Sequence, residues 1–335
     1  MSKLVISTSS FDVDNNPHIQ RLVKAGMHIV SNSQGRKLSE EEITGLLGTD
    51  TVGMIAGIEP LTERVFASAK SLQVVSRCGA GLDSVDLAAA QRHNIAVSNT
   101  PEAPSQAVAE LTLGLMLTAL RRICQTDRRL RTGEWPRMQG QLLAAQLVGI
   151  VGLGHIGRRV ARLCQAFGAE VVAHDPYISQ SPDGVKLLPL EKLLTEADVI
   201  SLHLPYGTGT HHLLDAEAFA RMKPGTVVIN AARGGLIDET ALGEALTSGK
   251  LGMAALDVFE QEPYRGPLLK CDNIILTSHI GSLARESRQR MEVEAAENLL
   301  QGLIKAGLME NECMEVEAAE NLLQGLIKAG LMENE

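Results

Sequence analysis

The sequence predicts an α/β protein in which one domain is inserted into another. Short apolar runs alternate with amphipathic segments along most of the 335 residues, as expected for parallel strands covered by helices on both faces. The stretch NTPEAP at 99–104 contains two prolines and predicts a hinge, and a long amphipathic helix is expected from 283 onward. We therefore predict one domain from 1–99 and 284–312, and a second domain from 100–283.

The first domain contains five apolar runs that predict strands. They read KLVIST, MHIVSN, TVGMIAG, QVVSR and IAVSN. Helices are expected between them at 17–25, after Ser39, near 61–67 and at 85–93. Ser39 is followed three residues later by Glu42, which is the capping-box pattern that opens a helix.

The second domain begins with a dense apolar run at 105–133, which predicts one long helical segment that belongs to a core or a subunit interface. The strand LVGIV follows, then the turn GLGHIG, and then a helix whose apolar residues recur near helical spacing at Ile156, Val160, Leu163 and Phe167. Later strands are expected in VVAH, ADVISLHLP, TVVINAA, GMAALDVF and NIILTSHIG, with a helix at 238–248. This order of elements predicts a doubly wound parallel sheet.

The glycine turn carries the first functional signal. Gly152, Gly154 and Gly157 form G-x-G-x-x-G between a buried strand and a helix, where glycines allow a tight turn, close approach to a pyrophosphate and close helix packing. Asp175 ends the next strand and can accept hydrogen bonds from ribose hydroxyls, whereas it would repel a 2′-phosphate. The stretch predicts a dinucleotide site and favours NAD over NADP.

Composition excludes several classes of protein. The net charge of −9 and the aromatic content of 3% argue against nucleic-acid binding, and no apolar run approaches the length of a membrane span. The start MSKLVIST predicts a strand and not a signal peptide. Five scattered cysteines suit a reducing cytoplasm and indicate neither a disulfide framework nor a metal site.

The C-terminus contains an exact duplication. Residues 291–312 read MEVEAAENLLQGLIKAGLMENE, and residues 314–335 repeat the same letters after Cys313. Copies in structural repeats usually diverge, so 313–335 is interpreted as a recent extension or an artefact. We expect one copy to complete the closing helix, while the other projects, extends the helix or is disordered.

Three polar residues follow expected strand ends in the second domain. They are Arg233 in NAARGGLID, Glu262 in DVFEQEP and His279 in TSHIGS, and strand-end residues of a parallel sheet converge on the ligand crevice. Hydride transfer between a 2-hydroxy acid and a nicotinamide needs such a set. A His can exchange the hydroxyl proton, a carboxylate can orient that His, and an Arg can hold the substrate carboxylate.

These motifs resemble those of the D-isomer-specific 2-hydroxyacid dehydrogenases over residues 1–312. GLGHIG followed by Asp175, AARGG, DVFEQEP and HIG stand in the family's order. The resemblance implies a Rossmann-type NAD-binding domain inserted into a flavodoxin-like substrate domain, with Arg233 binding the substrate carboxylate, Glu262 paired with His279, and His279 as the acid/base. It implies these cofactor-binding residues: Gly152, Gly154, His155, Ile156, Gly157, Asp175, His203, Pro205, Ala231, Asp257 and His279.

Within this family, the loop SRCGAGLDSVD and the pair NTP and VAE resemble those of phosphoglycerate dehydrogenases. Gly79, Ala80 and Gly81 could offer backbone N–H groups to a carboxylate, and Arg77 adds a positive charge. Arg137 in GEWPR falls where similar enzymes have a basic residue near the substrate, although a surface ion pair is the alternative. The two cations favour a phosphorylated or otherwise dianionic substrate over lactate. The resemblance implies oxidation of 3-phosphoglycerate to 3-phosphohydroxypyruvate, a step of serine biosynthesis.

Two alternatives remain open at this point. A glyoxylate or hydroxypyruvate reductase would use the same chemistry on an unphosphorylated acid, and a non-catalytic protein that senses NAD would use only the dinucleotide site. A homodimer through the helix at 105–124 is expected because that helix is apolar on more than one face.

Overall fold

The computed structural model describes residues 2–181 and 184–310. The described chain divides into two units, one containing the residues up to Thr100 and those from Met291 onward, and the other containing Pro101–Arg290. The boundary at which the chain returns from the second unit to the first lies inside a helix, Arg285–Lys305, whereas the sequence analysis placed it at 283–284. The predictions for the second copy of the duplicated segment fall outside the described residues.

The first unit is built on a parallel sheet of five strands among its described residues. The strands are β1 (Lys3–Ile6), β2 (His28–Ser31), β3 (Thr51–Ala56), β4 (Val74–Arg77) and β5 (Ala96–Asn99), in the order β2-β1-β3-β4-β5. This is the doubly wound order of flavodoxin-like domains. Every residue of β3 is buried, as expected for a central strand covered on both faces.

Four short helices connect these strands. They are α1 (Pro17–Lys24), α2 (Glu40–Leu47), α3 (Glu63–Ser68) and α4 (Leu87–Arg92). Each begins at a polar side chain that accepts from the first-turn N–H groups, and the capping box predicted for Ser39 and Glu42 is present at α2. The apolar faces of α2, α3 and α4 contribute to a core that includes Ile43, Phe66 and Ala89.

The second unit contains the larger parallel sheet. Its strands are β6 (Leu147–Val151), β7 (Glu170–His174), β8 (Lys186–Leu187), β9 (Val199–Leu202), β10 (Thr226–Asn230), β11 (Leu251–Leu256) and β12 (Ile274–Leu276), in the order β12-β11-β10-β9-β6-β7-β8. The strand order reverses at β6, as in Rossmann folds, so the predicted fold class is confirmed.

The helices of this unit are α5 (Ser105–Leu120), α6 (Ile123–Arg131), α7 (His155–Ala166), α8 (Leu190–Glu196), α9 (Ala216–Arg221) and α10 (Glu239–Thr247). The prediction of one helical segment over 105–133 was wrong. Arg122 adopts a left-handed conformation with φ of 54° and separates α5 from α6. No Gly or Pro marks this break in the sequence, so the local signal for it is absent.

Helices α5 and α7 pack against each other in one core. Met116 and Ala119 of α5 are buried together with Val160 and Cys164 of α7. Phe167, expected on the buried face, follows the last residue of α7 and is half exposed. The apolar character of α5 therefore serves the core of its own unit.

The closing helix, α11 (Arg285–Lys305), belongs to the first unit from Met291 onward. Its buried residues include Ala295, Leu299 and Leu303. Ser76 of β4 donates to the carbonyl of Ala295 at 2.7 Å, and a side chain at Gly53 of β3 would press against Leu299 and Leu303. The helix thus covers one face of the first sheet.

Candidate active site

The turn after β6 leaves space at one of its three glycines. Gly152 has φ of 94°, and a Cβ there would clash with the carbonyl of His203, while a Cβ at Gly157 would clash with the carbonyl of Gly152. At Gly154, the N-cap residue of α7, a Cβ would meet no described heavy atom within 4 Å. The turn therefore presents an open approach to the positive end of α7, which is the arrangement that a pyrophosphate requires.

Asp175 is held at the end of β7 by backbone donors. Its Oδ2 accepts from the N–H of Leu153 at 2.9 Å, and its Oδ1 accepts from the N–H of Tyr177 at 3.0 Å. The bond to Leu153 ties the carboxylate to the glycine turn itself. A fixed, partly exposed carboxylate next to the turn is suited to ribose hydroxyls.

His203 follows β9 and faces Gly152 through its backbone carbonyl. Its Nε2 lies 2.8 Å from the hydroxyl of Ser201, and burial lowers the pKa of the imidazole to about 3. The ring is therefore neutral at physiological pH. Pro205, two residues later, is exposed.

The loop after β10 carries Arg233 and is shaped by buried Asn230. The Asn230 amide donates to the carbonyl of Arg233 at 2.8 Å, and its oxygen accepts from the N–H of Ala232 at 3.0 Å. Ala231 is buried beside them. The backbone of Gly234 approaches Phe259 so closely that a Cβ would clash with it, so this loop and the loop after β11 form one packed unit.

Glu262 and His279 form a direct pair. The Nδ1 of His279 lies 2.8 Å from Oε2 of Glu262, and Oε1 of Glu262 accepts from the N–H of Phe259 at 3.1 Å. Burial opposes the charged form of Glu262, but the hydrogen bond and charge of His279, the Phe259 N–H and the charge of Arg233 outweigh it and lower the pKa of this carboxyl. The carboxylate therefore stays ionised and holds the imidazole by one nitrogen.

Asp257 fixes the loop on which His279 lies. Its buried carboxylate accepts from the N–H groups of Ile280 at 2.9 Å and Gly281 at 2.8 Å, and from the Thr277 hydroxyl at 2.6 Å. His279 itself has φ of 56°, a conformation that costs energy for a non-glycine residue. The three hydrogen bonds around it hold the loop in that conformation. The contact with nicotinamide that the resemblance implied for Asp257 stays a prediction.

Two of the substrate-binding residues predicted in the first unit, Arg77 and Gly79, hydrogen-bond to other residues of that unit. The guanidinium of Arg77 folds over Gly79 and donates to the carbonyl of Cys78 at 2.7 Å. The N–H of Gly79 donates to the Thr100 hydroxyl at 2.7 Å. Gly79 therefore does not offer its N–H to a ligand in this conformation, and Ala80 and Gly81 are the remaining backbone candidates.

Arg137 lies after α6 and lines an open pocket. Most of the pocket's other residues belong to α6 or neighbour Arg137 in sequence, and none of them belongs to the group of Arg233, Glu262 and His279. The substrate contact predicted for Arg137 stays a prediction.

The structure brings several of the predicted residues into contact and adds others that the sequence analysis missed. Arg233, Glu262 and His279 form one electrostatic group, Asp175 is bonded to the glycine turn, and His203 lies against Gly152. Asn230 and Thr277 were missed, although both stand at or just after a strand end, where polar residues could have been singled out.

The described residues also bear on metal binding, membrane helices and disulfides. Within residues 2–181 and 184–310, no cluster of three His, Cys, Asp or Glu side chains is arranged to hold a metal ion. In the same ranges, no helix has the length and apolar character needed to cross a membrane. The cysteines found there, Cys78, Cys124, Cys164 and Cys271, are free thiols.

Comparison with known proteins finds similar sequences over most of the chain. A family model described as the NAD-binding domain of D-isomer-specific 2-hydroxyacid dehydrogenases matches residues 113–281. The chain is 37% identical over 272 residues to a hydroxypyruvate reductase of Thermotoga maritima, covering 79% of this chain and 89% of that protein. It is 40% identical over 281 residues to a D-3-phosphoglycerate dehydrogenase of Methanocaldococcus jannaschii, covering 82% of this chain and 53% of that protein.

A solved structure agrees with the fold. The D-lactate dehydrogenase of Aquifex aeolicus, in complex with NAD and lactic acid, superposes with a TM-score of 0.79 at 27% identity, covering 91% of this chain and 96% of that one. The chain spans about half the length of the phosphoglycerate dehydrogenase from Methanocaldococcus jannaschii, but nearly all of the reductase and of the lactate dehydrogenase.

Proposed function

The chain belongs to the D-isomer-specific 2-hydroxyacid dehydrogenases, which are NAD-dependent oxidoreductases, and we propose that its substrate pair is D-3-phosphoglycerate and 3-phosphohydroxypyruvate. The observation that supports acid/base chemistry best is the 2.8 Å contact between Glu262 and His279. A carboxylate that binds Nδ1 orients the imidazole and stabilises its charged form, and it leaves Nε2 to exchange a proton with substrate.

Each residue of this group has a distinct role in the proposed reaction. His279 takes the hydroxyl proton during oxidation and returns it during reduction, and Glu262 stabilises the imidazolium. Arg233 binds the substrate carboxylate, because its planar fork matches two carboxylate oxygens. NAD, when bound, accepts the hydride from C2 of the hydroxy acid or, in reduced form, returns it.

The second unit offers a fitting place for NAD. The open approach at Gly154 would admit the pyrophosphate, and the carboxylate of Asp175 would bind the adenosine ribose. The neutral ring of His203 beside the turn adds an uncharged surface that can pack against a base. No metal is required, since the hydroxyl proton has a base in His279.

The choice of a phosphorylated substrate rests on two supports. The relatives include a phosphoglycerate dehydrogenase at 40% identity, and Arg77 at the end of β4 adds a cation next to Ala80 and Gly81. We propose that Arg77 binds the phosphate, after its guanidinium leaves the Cys78 carbonyl. Arg137 is also proposed to contact the substrate, as the sequence analysis predicts.

Reduction of hydroxypyruvate is the second candidate. It is favoured by the similarity to the hydroxypyruvate reductase of Thermotoga maritima, because the match covers 89% of that protein. It is also favoured by the hydrogen bond from Arg77 to the Cys78 carbonyl, which holds the guanidinium within its own loop. In that case Arg77 would shape the loop and would contact no phosphate.

Steady-state reduction of both oxo acids by NADH distinguishes these candidates. If the first is correct, kcat/KM is higher for 3-phosphohydroxypyruvate, and Arg77→Ala lowers that value by about 10-fold to 100-fold while hydroxypyruvate is little affected. Arg64→Ala removes a surface cation from the same unit and serves as the control. A preference for hydroxypyruvate that Arg77→Ala leaves intact would identify the second candidate.

A protein that senses NAD without turnover is the remaining alternative. It predicts NADH binding together with no reduction of any 2-oxo acid in a panel that includes glyoxylate, hydroxypyruvate and 3-phosphohydroxypyruvate. The Glu262–His279 pair argues against this alternative, because a binding protein has no need of an oriented acid/base group.

We also propose that the protein acts as a cytoplasmic homodimer. Ile123, Leu130 and Trp135 are exposed apolar side chains on and after α6, which can be covered by a second copy, and the free thiols suit a reducing compartment. Sedimentation equilibrium of the protein and of Trp135→Glu measures the dimer directly.

A further inference from the structure

The loop between β9 and α9 touches both loops that carry the acid/base group. His212 in this loop adopts a left-handed conformation with φ of 48°. Its backbone N–H donates to the carbonyl of Gly235 at 2.8 Å, two residues after Arg233. The ring of Tyr206 packs against Gly235 from the same loop.

The side chain of His212 reaches the other loop. Its Nε2 lies 2.8 Å from Oε1 of Glu260, two residues before Glu262. Because a carboxylate oxygen accepts, Nε2 carries the proton in this contact. A single residue thus binds the Arg233 loop through its backbone and the Glu262 loop through its side chain.

The segment at Glu260 is also held from two other directions. The N–H of Phe259 donates to Glu262, and the N–H of Glu260 donates to Oε1 of Glu239 at the start of α10 at 2.8 Å. Burial raises the pKa of Glu239, and the hydrogen bond that it accepts from the Glu260 N–H opposes that rise. The position of Glu262 therefore depends on where Phe259 and Glu260 are fixed.

The charged and titratable groups around His212 come from three elements. His211 of the same loop stacks on its ring with centroids 3.8 Å apart, and the Nδ1 of His211 contacts the Tyr206 hydroxyl at 3.1 Å. From the start of α10, Oδ2 of Asp238 lies 3.9 Å from Nδ1 of His212, too far for a hydrogen bond. Glu260 is thus the direct polar partner of the side chain in this group.

We propose that His212 is a positioning residue that, through Glu260, fixes the Arg233 and Glu262 loops relative to each other. The proposal rests on the proposed dehydrogenase function. Substrate carboxylate and hydroxyl belong to one small molecule, so the Arg that binds one and the His279 that deprotonates the other must keep a constant separation. A displacement on the order of 1 Å in such a site can lower the rate by about 100-fold.

The test uses variants that preserve the left-handed backbone. His212→Asn keeps a side chain that tolerates this conformation but is too short to reach Glu260. Glu260→Ala removes the partner, and Glu260→Gln keeps an acceptor oxygen. The matched control is His93→Asn, because His93 and Glu63 form a His–Glu contact of 2.7 Å with similar exposure in the first unit.

For the 2-oxo acid that the wild-type protein reduces, we expect His212→Asn and Glu260→Ala each to lower kcat and raise KM, with kcat/KM reduced by about tenfold. NADH affinity, measured by fluorescence, should stay within twofold of wild type. The double variant should be no worse than either single variant, since both remove the same contact. Glu260→Gln should retain most of the activity, and so should His93→Asn.

Several outcomes overturn the proposal. These are wild-type kinetics in both His212→Asn and Glu260→Ala, losses that multiply in the double variant, or an equal loss in His93→Asn. A wild-type protein that binds NADH and reduces no 2-oxo acid instead contradicts the proposed function, so the two failures are distinguishable.

Discussion

The Nδ1 of His279 and Oε2 of Glu262 lie 2.8 Å apart, and this contact assigns different tasks to the two imidazole nitrogens. Nδ1 donates to the carboxylate, which leaves Nε2 as the nitrogen that can accept the substrate proton. The lowered pKa of Glu262 keeps the acceptor ionised. The backbone conformation of His279, held by Asp257, sets where the ring can lie.

Glu262→Gln is expected to lower kcat on the order of 100-fold with little change in NADH affinity. The amide does not stabilise an imidazolium, and it can present an N–H to Nδ1, which would select the wrong tautomer. Steady-state kinetics measures the loss. Glu244→Gln on the exposed face of α10 is the control, and a Glu262→Gln enzyme with wild-type kcat would contradict the assigned role.

The two glycines of the turn that are not strained by a positive φ should respond differently to alanine. Gly154→Ala should lower the free energy of unfolding by less than about 1 kcal/mol, because alanine is a poorer N-cap than glycine. It should weaken NADH binding, because its Cβ occupies the open approach. Gly157→Ala should lower the free energy of unfolding by about 1–3 kcal/mol, because its Cβ meets the carbonyl of Gly152. Urea unfolding and NADH titration distinguish the two effects, and equal behaviour of the variants would refute this assignment.

Asp175→Asn should relax the discrimination between NADH and NADPH. The carboxylate repels a 2′-phosphate and binds ribose hydroxyls, so its neutral counterpart should raise kcat/KM with NADPH and lower it with NADH. Because the bonds to Leu153 and Tyr177 fix this side chain, the cofactor ratio is expected to change by about tenfold or more. An unchanged ratio of kcat/KM between NADPH and NADH would show that Asp175 does not bind the ribose.

His203 should make the folded state sensitive to acid. Its pKa is about 3 in the folded protein and near 6.5 when unfolded, so the unfolded state binds an extra proton between these values. The free energy of unfolding is therefore not reduced by His203 above pH 6.5. It falls as the pH is lowered below that value, by up to about 1.4 kcal/mol per pH unit. Urea unfolding of wild type and His203→Gln below pH 6.5 should show a shallower decline in the variant, and parallel curves would refute the prediction.

Local patterns predicted much of the fold because the signals are short in sequence. The Ser39 capping box and the Gly152 turn each lie within a few residues, and their geometry follows from backbone chemistry. The break between α5 and α6 was not predicted, because Arg122 carries no local signal for a left-handed conformation.

The sequence by itself determined the fold class and the dinucleotide turn and singled out Arg233, Glu262 and His279 as candidates, because hydrophobic periodicity and strand-end position are properties of short segments. Only the tertiary structure decided which groups hold these residues in place. Asp257 and Gly281, or His212 and Glu260, are far apart in the chain, and their hydrogen bonds depend on how neighbouring strands end beside one another. In the first unit, the structure likewise decided that Arg77 donates to the Cys78 carbonyl and that the N–H of Gly79 donates to the Thr100 hydroxyl, because no local pattern records either contact.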